Sequence, residues 1–181
     1  MDIQISLIPS DVYSIDTNIF IEIWGPPQGN IYSKERMPDL WKHIELLAEQ
    51  GRIIASKEVY DELKEHASDE LMQWLNAHKY IFSMSKEQID AARTIINEVY
   101  ALYKNGFKPE IKNAADPFVV AVAAVCGGRV LSLESRQQPH NPRDVGEPKI
   151  PTVCEHYKIP CYNLDEFLEV EGFSISLQRN A

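Results

Sequence analysis

Short apolar runs of strand length alternate along this chain with longer segments of helical periodicity, and that alternation constrains the fold more than any single motif. VYSID, residues 12–16, reads as a buried strand ending on an acid, and TNIFIEIW, residues 17–24, continues it as a helix. Residues 25–36 hold two prolines and two glycines and read as a loop. Pro38 opens a second helix in which Leu40, Trp41, Ile44, Leu47 and Ala48 recur at helical spacing, with Gly51 as its stop. Residues 52–55 form a second strand, Ser56 caps KEVYDELKEHA, and Ser68 caps the next helical segment. Tyr80 to Phe82 reads as a third strand, and Ser85 starts a long amphipathic helix running to Lys104 and ended by Asn105-Gly106. Asn113 caps AADPFVVAVAAVC, whose small residues suit close packing on a sheet before Gly127-Gly128 ends it. A strand over residues 129–133 follows. After a polar loop, Pro151 opens a short helix, Cys161-Tyr162 sits in the last strand, and Asn163 caps NLDEFLEVEG. Residues 2–8 and 173–178 alternate like edge strands.

Strands separated by helices predict an α/β fold, with a central, mostly parallel, twisted sheet flanked by helices on both faces. At 181 residues and 44% hydrophobic the chain suits one well-cored domain over residues 1–181. It contains no apolar run long enough to span a bilayer, and its N-terminus lacks the pattern of a signal peptide, so a soluble cytoplasmic protein with no membrane association is expected. Three cysteines, Cys126, Cys154 and Cys161, fit a reducing compartment without a structural disulfide. Against 18 basic residues stand 27 acidic ones, a formal charge of −9, which excludes nucleic-acid binding through a broad basic face. Any nucleic-acid chemistry requires local compensation from a metal cation, a cluster of Arg and Lys, or a basic partner.

The acids are informative by position. Asp16 closes the first strand and Glu134 follows RVLSL, so a parallel sheet carries both to its carboxyl edge, where sites on such sheets lie. Asp116 falls in the first turn of one helix and Glu62 within the first two turns of another, and helix N-termini face that same edge. An acid inside VYSIDTNIFI is no surface decoration. Asp116 alone has a simpler explanation, favourable interaction with the helix dipole, and Glu134 alone is a weak signal. Like charges about 4 Å apart repel by roughly 1 kcal/mol even in water, so convergence of four carboxylates calls for a cation. An oxygen-only set suits Mg²⁺ or Mn²⁺, and no Cys or His pairs fall at zinc spacing. Such ions support phosphodiester hydrolysis.

These stretches resemble the PIN-domain family, which includes the VapC-type toxic ribonucleases of toxin-antitoxin pairs. YSIDTNIFI matches the opening Asp-Thr-Asn signature, with Asp16 as first metal ligand and Asn18 in the supporting polar role. VYDEL matches the second motif and gives Glu62, while KNAADPFVVAVA matches the third and gives Asp116. VLSLES matches the strand motif that commonly reads Thr-x-Asp, with Ser132 as the hydroxyl and Glu134 as the acid. A less characterised PIN-like branch also has Glu there, followed by a KIPxVC segment, seen here as KIPTVC. The resemblance implies a single PIN-like nuclease domain. Its catalytic and metal-binding residues are Asp16, Glu62, Asp116 and Glu134, its cofactor Mg²⁺ or Mn²⁺ and its substrate RNA. It also implies a protein antitoxin that occludes the acids and, commonly, a toxin homodimer. Glu58, one helical turn before Glu62, is the rival for the second acid, and Asp61 is expected to point off that face.

SRQQPHNPRDVGEPK places Arg136, His140, Arg143 and Lys149 just beyond Glu134, where they either contact RNA or form a solvated loop. Cys154, His156 and Cys161 lack a second ligand pair and read as packing residues, as do Trp24, Trp41 and Trp74. Two further functions stand beside the toxin: an RNA-processing nuclease without an antitoxin, and a non-catalytic RNA- or protein-binding module that keeps the fold.

Overall fold

A computed structural model describes residues 11–109 and 114–173. Five strands, β1 (Tyr13–Ile15), β2 (Ile53–Ser56), β3 (Phe82–Ser83), β4 (Arg129–Leu131) and β5 (Cys161–Tyr162), form one sheet in the order β3-β2-β1-β4-β5. Every pairing is parallel, with Tyr13 opposite both Ile53 and Arg129 and Leu131 opposite Tyr162. The chain builds outward from β1 to β3 on one side and then crosses back to β4 and β5 on the other. That reversal opens a crevice at the carboxyl ends of β1 and β4.

Eight α-helices lie among the described residues: α1 (Thr17–Trp24), α2 (Pro38–Glu49), α3 (Lys57–His66), α4 (Asp69–Ala77), α5 (Lys86–Glu98), α6 (Asp116–Cys126), α7 (Ile150–Tyr157) and α8 (Leu164–Val170). The pleat of β1 assigns the two faces. Ser14 points to α6, where its hydroxyl donates to the Val119 carbonyl at 2.8 Å. Tyr13 points the other way and meets Phe167 of α8 edge-on, with ring centroids 5.1 Å apart. Helix α6 is largely apolar because its middle is enclosed: Val119, Val120, Ala121, Val122 and Ala123 are all buried between the sheet and α5, while Ala124 and Val125 near its end are exposed. On the other side Trp41 lies between Trp24 and Trp74, at 5.1 and 4.9 Å, and Phe20 packs on Trp74, so the three tryptophans are packing residues. The cysteines are unpaired. No helix among the described residues is long and apolar enough to cross a membrane.

The predicted caps at Ser56, Ser68, Ser85 and Asn163 each accept the expected amide hydrogen bond. Gly127 stops α6 in the left-handed region (φ 63°), and Gly128 lies so close to β1 that a Cβ there would sit 2.6 Å from the Val12 carbonyl oxygen.

Three expectations need correction. The helix read as continuing to Lys104 ends at Glu98 and gives way to a 3-10 turn over Tyr100–Leu102. In that tighter winding residues three apart eclipse, which turns Tyr100 and Tyr103 inward together. The third strand begins at Phe82, because Lys79–Ile81 form a 3-10 turn that buries Ile81. Helix α6 starts at Asp116 with Ala115 before it, so Asp116 is the first helical residue. The proposed Asn113 cap lies outside the described residues, as do the alternating segments 2–8 and 174–178.

Candidate functional site

Asp16 leaves β1 in an extended conformation and immediately precedes α1, placing its carboxylate in the crevice between β1 and β4. Its amide continues the sheet pairing by donating to the Leu131 carbonyl at 3.0 Å. Its side chain is 4% exposed and accepts from Ser132 Oγ at 2.8 Å. Burial pushes the Asp16 carboxyl up to about 7, with the charges of Glu134 and Glu62 adding to the rise and the Ser132 hydroxyl and Thr17 amide opposing it. Asn18 ties α1 to the end of β4: its amide nitrogen donates to Ser132 Oγ at 3.4 Å, and its carbonyl accepts from the Leu133 amide at 3.0 Å. The supporting residues inferred from the motifs therefore hold the Asp16 carboxylate in place.

Asp116 comes to the same place from the start of α6 and is 6% exposed. Among the described residues, none donates a hydrogen bond to its carboxylate. Burial first, and then the charges of Asp16, Glu134 and Glu62 in that order, together raise it to about 9 against the opposing charge of Lys149. The four acids thus occupy one electrostatic neighbourhood although they come from four separated stretches of chain.

Glu62 and Glu134 are differently engaged. Glu62 accepts from Thr17 Oγ1 at 2.7 Å and from the Ala115 amide at 3.0 Å, joining α1, α3 and the start of α6. Glu58 is half-buried with one carboxylate oxygen lacking a partner, and its surroundings are Ser56, Lys57 and Asp61; Glu62 is the member of the pair that reaches the site. Asp61 points away, between Lys57 and Lys64 at 2.6 and 2.7 Å. Glu134 accepts from Lys149 Nζ at 2.8 Å and from the Ile150 amide at 2.7 Å, the latter at the start of α7, where the helix dipole favours a carboxylate.

Among the described residues, no three His, Cys, Asp or Glu side chains are disposed to grip one ion. Glu62 and Glu134 each spend both oxygens on protein donors. The donor chemistry nevertheless fits a hard divalent cation such as Mg²⁺ or Mn²⁺, because two buried carboxylates with raised proton affinities gain most from one.

The basic residues divide. Lys149 lies inside the acid group as the counterion of Glu134. Arg136 is 77% exposed, 3.8 Å from Glu166, and lines a cavity of about 280 Å³ with Ser132, Glu134, Tyr162 and Asn163. Arg143 is exposed on a 3-10 turn over Pro142–Asp144, and His140 meets the Tyr103 hydroxyl at 3.1 Å.

The family described as a domain of unknown function, DUF4411, matches residues 13–175, from β1 to just beyond α8. The chain belongs to the DUF4411 family. No curated protein matches it. The span of the DUF4411 domain includes all four acids, Asn18, Ser132 and the loop that carries Arg136 and Lys149.

One residue of this DUF4411 site escapes sequence reasoning. Thr17, inside the Asp-Thr-Asn stretch, holds Glu62, and its hydroxyl beside Asp16 was a usable signal.

Proposed function

We propose that this protein is a divalent-cation-dependent endoribonuclease of PIN-like type that hydrolyses RNA phosphodiester bonds and acts as the toxin of a type II toxin-antitoxin pair. One observation carries the reading: Asp16 and Asp116, distant in sequence, are both buried by the switch point of a parallel sheet, and the charge of Asp16 raises the proton affinity of Asp116. A cation held there would supply Lewis-acid chemistry for phosphodiester hydrolysis. Asp16 and Asp116 would be its principal ligands, and Glu62 and Glu134 would join them only by giving up protein donors. Ser132 and Asn18 fix the Asp16 carboxylate, and Thr17 fixes Glu62. Lys149 offsets the negative charge that an incoming phosphate meets at Glu134, and Arg136 and Arg143 lie outside the acids where the RNA backbone would pass.

The test is cleavage of a mixed RNA pool with Mg²⁺ or Mn²⁺ by the parent and by Asp16→Asn. The parent is expected to cut only with metal and the variant not at all; equal cutting by both refutes the site. Expression in a host cell addresses the toxin role, since growth arrest relieved by a neighbouring gene product separates a toxin from an RNA-processing enzyme. The resemblance also supports a protein antitoxin over the acid edge and a homodimer. A second reading, a non-catalytic binding module, is favoured by the engagement of Glu62 and Glu134 with protein donors. Failure to bind Mn²⁺ at millimolar concentration selects it.

A further inference from the structure

The residues that leave β4 and those that close β5 enclose a cavity of about 280 Å³ at the carboxyl edge of the sheet. It adjoins the acid site, because Ser132 and Glu134 line it. Those two have little left to offer a ligand: Ser132 Oγ donates to Asp16, and the Glu134 oxygens accept from Lys149 and the Ile150 amide. The polar group still available comes from α8. Glu166 Oε2 accepts from the Asn163 amide at 3.0 Å and completes the helix cap. Glu166 Oε1 accepts no hydrogen bond among the described residues, and Arg136 stands 3.8 Å from it, too far to donate. Leu133, Pro151 and Tyr162 add apolar surface to the lining. A carboxylate oxygen without a protein donor, set in a partly apolar cavity, favours a ligand that brings donors of its own. The volume lies just under that of drug-sized ligand pockets, about 300 to 1,000 Å³, and suits one planar base. Single-stranded RNA is read in this way, by bases splayed from the strand and hydrogen-bonded along their edges.

We infer that this cavity is a guanine subsite, taking one base of a single-stranded RNA whose backbone passes the acids, with Glu166 as the residue that selects it. This rests on the RNA substrate proposed above and not on a bound cation. The choice of base follows from edge chemistry. Guanine sets two donors, N1–H and the 2-amino group, side by side on its Watson–Crick edge, and a carboxylate accepts from both. Adenine and cytosine each place an acceptor nitrogen next to their amino group, and uracil flanks its one N–H with two carbonyls, so each of these turns an acceptor toward Glu166. Arg136, 77% exposed at the lining, remains free for the phosphate.

The test follows the fluorescence anisotropy of labelled single-stranded RNA heptamers on the full chain in EDTA. One heptamer is all adenosine, and the others carry guanosine or inosine at the centre. The parent is expected to bind the guanosine heptamer about 10-fold more tightly than the adenosine one, the discrimination that a bidentate base contact supplies. Inosine lacks the 2-amino donor and should bind the parent more weakly than guanosine; equal binding of the two overturns the inference without any substitution. Glu166→Gln retains the cap, because glutamine serves the same position and its carbonyl can keep the Asn163 amide. Its NH2 then replaces Oε1 and turns donors toward the cavity. The variant is expected to lose the guanosine preference with an unchanged urea midpoint, whereas a Glu166 that only caps α8 would leave the preference intact and overturn the inference. A parent that binds guanosine and adenosine heptamers equally also overturns it, and leaves metal-dependent cleavage standing. A parent that binds none of the heptamers overturns both the inference and the RNA substrate beneath it.

Discussion

Replacing Asp116 with Asn should stabilise the cation-free protein at neutral pH, against the usual result of altering a buried polar residue. The carboxyl is raised from its ordinary 3.8 to about 9 by burial and by Asp16, Glu134 and Glu62. A raised acid binds its proton more tightly folded than unfolded. Its contribution is therefore fully present below the unfolded value and is lost as pH rises toward the folded one. Each pH unit in that interval costs about 1.4 kcal/mol, so the loss between pH 4 and pH 7 is roughly 4 kcal/mol. Asn carries no charge and escapes this loss, but it introduces an amide whose unsatisfied donors cost about 1 to 3 kcal/mol. The expected net gain is about 1 to 3 kcal/mol at pH 7, turning into a loss of similar size at pH 4. Urea unfolding in EDTA at the two pH values measures it. Adding Mn²⁺ at pH 7 should reverse the order, because the parent alone gains binding energy by mass action. A variant destabilised equally at both pH values would refute the electrostatic account. Asp16, itself raised to about 7, is part of the same field, so a double variant with Asp16→Asn should gain less than the sum of the single changes.

Gly128→Ala tests the close approach that lets β4 lie against β1. The new Cβ would sit 2.6 Å from a backbone oxygen that already accepts the Arg129 amide, and the change should cost about 1 to 3 kcal/mol in urea unfolding; an unchanged midpoint would show that the strand gives way freely. Neutralising Arg136 and Arg143 together, in an Asp16→Asn background that leaves RNA uncut, should weaken RNA binding. The slope of log affinity against log salt should fall by about 1.4, at about 0.7 for each single-strand phosphate that is no longer neutralised. An unchanged slope means that neither arginine touches the backbone.

Much of the fold was legible because its determinants are local. A strand of three or four residues followed by a capped helix is written in adjacent side chains, and Ser56, Ser68, Ser85 and Asn163 each accept the amide their position calls for. The limits of local reading appear after Glu98. Ala92, Ile95, Val99 and Tyr103 continue a helical stripe, and nothing in that pattern announces that the chain tightens into a 3-10 turn. The turn is held from outside the segment: the amides of Lys104 and Asn105 donate to the carbonyls of Val145 and Gly146, more than 40 residues onward. A long-range pairing therefore fixes the chain just beyond the turn.

The candidate site divides along the same line. Where the acids stand depends on strand ends and helix starts, so Asp16, Glu62, Asp116 and Glu134 could be nominated from spacing and motif. What each carboxylate bonds to depends on neighbours brought by other elements. Glu134 has its extra methylene over Asp, and the donors within its reach are the Lys149 ammonium and the first amide of α7. Glu62 has the amide of Ala115, presented only because α6 begins one residue later. Asp116, shorter and at the head of that helix, has none among the described residues. Glu62 and Glu134 thus have both oxygens engaged by protein donors. The two buried at the centre, Asp16 and Asp116, retain raised proton affinities. This assigns unequal roles to four residues that the motifs present as equivalent. Asp16 and Asp116 exchange protons for a cation, whereas Glu62 and Glu134 join only by giving up bonds they already hold, so Mn²⁺ uptake should release protons chiefly from the central pair.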